Sequence, residues 1–181
     1  MSSSSSTVSY FISKIAREAG VSKATCQEYI QLAVDLFLLI ALRYIDPYRL
    51  QPVPRKERKY CFIDPFIYTV FSEWCDVTIK KEHVVEAAAI AHILRLIDWR
   101  KVYENTVYYW RNRAEVDLMV KVDGKPLGFE ITWSPFKETV SAVGKIKEIV
   151  LLDREELDLN KRRIPLVLFL LVAELKNIKF K

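Results

Sequence analysis

Glycine is scarce. Only four of the 181 residues are Gly, and none stands in a GxxxxGK[ST] arrangement, so the chain carries no P-loop of its own. Cysteine is scarce as well: Cys26, Cys61 and Cys75 are odd in number and far apart. Neither a disulfide framework nor a CxxC zinc pattern follows, and a reducing, cytoplasmic setting is the expectation. The two histidines, His83 and His92, match no regular zinc-ligand spacing, with or without Cys75. No secretory signal is visible. The longest apolar run, Leu166–Ala173, is far too short to span a bilayer, so no membrane role is expected.

What is present suits a soluble globular protein: 51% apolar and 28% charged residues. A chain of this length buries roughly 70% of its extended surface and forms one or two domains. The net charge of +5 permits an anionic partner without requiring one.

Residues 1–6, "MSSSSS", are low-complexity and read as a disordered tail. The stretch "IAREAGVSKATCQEYI" reads as helix, tight turn, helix. The first helix runs about Tyr10–Glu18 and Gly20 takes the C′ position after it. Ser22 caps a second helix from Lys23 through Ala33. A strand-like "LFLLIALRYI", a proline-rich basic loop "DPYRLQPVPRKERK" and a second strand "YCFI" follow. Helix-turn-helix followed by strand, basic loop and strand spells a winged helix over residues 7–75. Arg55, Lys56, Arg58 and Lys59 then lie near the tip of the wing. Lys23, Thr25, Gln27 and Gln31 are on the exposed side of the second helix, where a recognition helix meets DNA.

A helix from Phe66 to about Trp74 closes this part, and the domain boundary is placed near Asp76. Residues 76–181 read as a long helix over Lys81–Asp98 and strands over Val107–Arg111, Ala114–Val122 and Pro126–Trp133. A helix from Ser134-Pro135 to about Leu152 and a final strand in "IPLVLFLLVA" complete the order α-β-β-β-α-β. The fold class expected is α/β (α+β).

The segment "EVDLMVKVDGKPLGFEITW" carries the chemistry. Asp123-Gly124 is a type I′ turn signal, which pairs Val122 with Lys125 and sets Asp117 opposite Glu130 and Glu115 opposite Thr132. Val116, Leu118 and Val120 then form a core face with Ile131, Phe129 and Leu127. Facing carboxylates destabilise a sheet unless they are solvated or offset by a cation, a proton or a base. On the Lys81–Asp98 helix, Ile90, Ile93 and Ile97 mark an apolar stripe that runs back onto Glu86 and Glu82. If Asn112-Arg113 is a turn, Trp110 opposes Glu115 and Tyr108 opposes Asp117, so both aromatics share the acidic face. Arg111 and Arg113 at that end are candidate phosphate contacts.

A helical acid, a strand acid and an E-x-X on the next strand resemble the PD-(D/E)XK, restriction-endonuclease-like superfamily. The resemblance implies an αβββαβ core and a Mg²⁺ site held by Glu86, Asp117 and Glu130. Thr132 stands where the family carries its lysine, with Lys145 or Lys137 as candidates to replace it. "YCFIDPFIY", "VVEAAAIAHIL", "VYYWRNRAEVDLMVK" and "GFEITW" further resemble the C-terminal region of prokaryotic, notably archaeal, AAA+ ATPases, in which a winged helix precedes a nuclease-like domain. The resemblance implies three alternatives. One is Mg²⁺-dependent cleavage of DNA. Another is an inactive module that binds DNA or protein for a P-loop ATPase. The last is a docking or homo-oligomerisation element.

Overall fold

A computed structural model describes residues 12–104, 106–112, 114–133 and 141–173. It is a mixed α/β structure. Among the described residues there are six helices and an eight-stranded mixed sheet.

Local signals decide the first half. Helix α1 (Ile12–Glu18) ends before Gly20, whose φ of 66° is the left-handed turn expected there. Helix α2 (Lys23–Asp35) starts at Ser22, whose Oγ accepts from the Thr25 amide at 3.0 Å. Strands β1 (Leu39–Asp46), β2 (Gln51–Pro52) and β3 (Arg58–Phe62) follow. Both short partners pair antiparallel with β1, β3 along its first half and β2 at its end. Helix α3 (Pro65–Cys75) is capped by Asp64, with Pro65 in its first turn.

Helix α4 (Lys81–Ile97) buries Ile90 and Ile93 of the expected stripe together with Ala87 and Leu94, while Ile97 is half-buried. The short α5 (Arg100–Tyr103) leads into β4 (Tyr108–Arg111), β5 (Glu115–Val122) and β6 (Lys125–Ile131). Strand β7 (Glu148–Asp153) lies parallel to β6 and β8 (Arg163–Pro165) parallel to β7, before α6 (Leu166–Val172). The sheet order is β2-β1-β4-β5-β6-β7-β8, with β3 also on β1. Because β1 pairs in parallel with β4, one sheet carries strands from both sides of position 76. The main core likewise joins Ile40, Leu42 and Cys61 to Ile90, Phe129 and Phe169. A second cluster on the other face unites Ile45, Val116, Met119, Val143, Ile146 and Ile149. Among the described residues no helix is long and apolar enough to cross a membrane.

Two expected elements are replaced. The helix expected to reach Leu152 gives way to a turn bridged by Val143 and Ile146, then β7; its start at Ser134-Pro135 falls outside the described residues. Residues 149–153 are all buried between two parallel neighbours, which demands a continuous apolar run. The expected last strand is only Arg163–Pro165, and the apolar run beyond it is helix α6. Leu166 and Phe169 are buried, Leu170 packs beside them, and Val167, Leu171 and Val172 are exposed, a spacing that belongs to a helix.

Candidate nucleic-acid groove and acid centre

The β5–β6 hairpin follows its turn. Asp123 and Gly124 have φ of 50° and 78°, and the register pairs Val122 with Lys125 through Leu118 with Phe129. Past Leu118 a β-bulge intervenes. Tyr108 pairs with Met119, but Trp110 pairs with Val116, so β5 supplies one extra residue opposite Tyr109. The bulge turns Val116 into the second cluster beside Met119. It also turns Asp117 to the face of Leu118, under α4.

Three expectations are corrected by this one insertion. Val116 is not on the core face with Leu118. Tyr108 and Trp110 pack in the second cluster, not beside Glu115 and Asp117. Glu130, between Phe129 and Ile131 of the main core, alternates to the opposite face from Asp117.

What the structure does bring together is Glu86 and Asp117, with two residues the sequence did not single out for this centre. Lys59 was expected at an exposed wing tip. On β3, however, Arg58 and Tyr60 turn outward while Lys59 and Cys61 turn inward, and the Lys59 side chain is 3% exposed. Its Nζ donates to Asp117 Oδ1 at 2.9 Å, lies 3.6 Å from Glu115 Oε1 and contacts Glu86 Oε1 directly. The other Asp117 oxygen accepts from the Ile131 amide at 2.8 Å. Arg111 Nε approaches Glu115 Oε2 at 3.9 Å from the rim. The signal available in the sequence was alternation: a lysine two residues before the buried Cys61 shares its face.

The electrostatics follow from burial. Burial alone disfavours the ammonium, but Asp117, Glu86 and Glu115 outweigh it and hold the Lys59 pKa above its ordinary value. Burial pushes Glu86 up to about 7, against the pull of Lys59 and with the help of Asp117. Burial likewise pushes the neighbouring Cys61 thiol up to about 12, which suits an inert core residue rather than a nucleophile.

The residues do not fit Mg²⁺ as expected. Glu86 and Asp117 meet, but their shared space holds the Lys59 ammonium, and Glu130 is not among its partners. Among the described residues no group of three His, Cys, Asp or Glu has the arrangement to hold a metal ion. Thr132 is at the end of β6, where its amide donates to the Leu152 carbonyl at 2.9 Å. Lys145 is not on a helix facing the sheet. It is an exposed residue of the Val143–Ile146 turn, and its amide donates to the Pro47 carbonyl at 2.8 Å. Lys137 and Arg113 fall outside the described residues.

The expected nucleic-acid contacts mostly converge. A groove of about 720 Å³ runs between α1–α2 and the loop before β3, lined by Lys23, Gln27 and Gln31 on one side and by Arg55, Lys56 and Arg58 on the other, with Tyr60. Lys23, Gln27 and Gln31 share a helical face at i, i+4 and i+8. Four cations face two carboxylates there, Glu28 and Glu57. Lys56 Nζ stands 5.3 Å from the centre of the Tyr44 ring, and the Tyr109 hydroxyl donates to the Glu57 carbonyl at 2.8 Å, which pins the loop to the sheet. Thr25 is not part of the groove lining; its hydroxyl is 2.8 Å from Ser22 Oγ in the helix cap. Arg111 is at the acid centre instead.

No family model, curated protein or solved structure matches the chain.

Proposed function

We propose that this chain is a DNA-binding module of winged-helix and nuclease-like ancestry, which grips the phosphate backbone in the groove between α2 and the basic loop. The observation that carries this reading is the groove itself. Lys23 and Gln27 are separated in sequence from Arg55, Lys56 and Arg58, yet line the same space. Cations set affinity and salt dependence, while the glutamines supply donors and acceptors for base edges or sugar. The net charge of +5 favours such a partner. A P-loop ATPase module as the partner of this role rests on the resemblance of "YCFIDPFIY" and "GFEITW" to the C-terminal region of AAA+ ATPases.

A gel shift on duplex DNA tests the reading. Binding is expected at low salt, weakening steeply as salt rises, and is reduced by Lys56→Ala with Arg58→Ala. No shift at low salt removes the proposal.

Metal-dependent hydrolysis is the reading we set below it, because Glu86 and Asp117 meet around the Lys59 ammonium rather than around an open metal site. It requires Mg²⁺- or Mn²⁺-dependent cutting of plasmid DNA that Asp117→Ala abolishes. Cutting that survives this change belongs to a contaminant.

A further inference from the structure

Three carboxyls withdrawn from water need a cation or protons. Their side chains here are only 6% (Asp117), 7% (Glu115) and 14% (Glu86) exposed, and each presents an oxygen to the same point. The sequence pattern leads one to seek a divalent ion at Glu86 and Asp117, and the residues refuse it. We infer that Lys59 is the resident cation of this centre, a permanent ammonium delivered on β3 between the two carboxyls where the sequence pattern led one to expect a metal ion.

The geometry supports this in three ways. An ammonium has three donors, and Lys59 finds three carboxyl partners. The lysine stem runs through the apolar layer beside Leu42, its partner on β1, so the charge arrives without an open channel to water. The β5 bulge is what aims Asp117 at Nζ; a regular strand would aim it at the other face. The inference is independent of the groove and stands or falls without DNA.

It follows that the native protein needs no divalent ion to hold these carboxyls together, whereas removal of the ammonium leaves three hard oxygen donors without their cation, free to close around a divalent ion instead. The test is Mn²⁺ binding by electron paramagnetic resonance, with melting followed in excess Mn²⁺ and in EDTA. Wild type is expected to bind no Mn²⁺ at this centre and to melt at the same temperature in both. Lys59→Ala is expected to bind one Mn²⁺ per chain, to melt about 5–10 °C higher with saturating metal than in EDTA, and to lose that response when Asp117→Asn is added. A folded Lys59→Ala that ignores Mn²⁺ overturns the inference, as does wild-type Mn²⁺ binding that Asp117→Asn removes. Should Lys59→Ala fail to fold under both conditions, the wild-type Lys59 ammonium decides by ¹⁵N–¹H NMR. Protected signals unmoved by Mg²⁺ support a resident cation, and signals displaced by Mg²⁺ refute it.

Discussion

Lys59 donates to Asp117 at 2.9 Å across 58 residues of sequence. That bond fastens β3, the strand leaving the basic loop, to the bulged strand β5, with β1 and β4 between them in the sheet. It makes the acid centre a clasp between the two halves of the chain.

Removing one member of a buried ion cluster leaves the others without compensation. Lys59→Met keeps the stem volume and deletes the charge. It is expected to cost about 3–5 kcal/mol of unfolding free energy near neutral pH. Urea denaturation checks this, and a loss smaller than about 1 kcal/mol would show that the carboxyls are solvated after all.

Stability should depend on pH through Glu86. Burial, helped by Asp117 and Glu115 and opposed by Lys59, makes its carboxyl hold a proton up to about 7 in the folded chain, whereas it releases it near the ordinary 4.5 when unfolded. The folded state therefore binds more protons in that window, so this contribution to stability is full below 4.5 and is lost as pH rises through about 7. Glu86→Gln keeps the shape and removes the titration. A flatter stability profile over the window is expected, and an unchanged slope would assign the dependence to another group.

Gly144 closes the turn that seals the second cluster. Its φ is 56°, and an added Cβ would stand 2.6 Å from the Pro47 carbonyl oxygen, a backbone atom that cannot swing away. Gly144→Ala is expected to destabilise the fold by about 1–3 kcal/mol. A thermal melt equal to wild type would mean that the turn is not seated on Pro47.

The groove's loop is positioned from behind by Tyr109. Tyr109→Phe deletes the 2.8 Å bond to the Glu57 carbonyl, a loss of about 1 kcal/mol in tethering. DNA affinity is expected to fall about fivefold at constant salt, with the salt slope retained because no cation is removed. Unchanged affinity would show that the loop orders without the tether.

Local chemistry made much of this fold legible. Ser22, Gly20, Asp64-Pro65 and Asp123-Gly124 each act through their immediate neighbours, and each element boundary they mark lies within a residue or two of its expected place. The stripe on α4 named Glu86 correctly as core-facing. The bulge at Asp117 was not legible, because an extra residue in a strand leaves no mark in composition. Register errors of one residue exchange the faces of every side chain beyond them, and so Glu115, Val116 and Asp117 are each on the face opposite to the expected one, which parts the first and last of them from Glu130, Tyr108 and Trp110. Strand β7 and helix α6 were exchanged in kind because "EIVLLD" and "LVLFLLV" are both short apolar runs. Their periodicity cannot separate a buried strand from a buried helix. Lys59 was missed as a member of the acid centre because basic residues crowd around it in sequence, while its partners are distant.

The most direct measurement is the affinity for a labelled DNA duplex, by fluorescence anisotropy across a salt series, for wild type and for Lys56→Ala with Arg58→Ala. Each lost phosphate contact should lower the slope of log affinity against log salt by about 0.9. The double variant is therefore expected to bind more weakly and with a slope shallower by about 2. Wild type that fails to bind at low salt, or a double variant with the affinity and slope of wild type, would contradict the groove as a DNA-binding site.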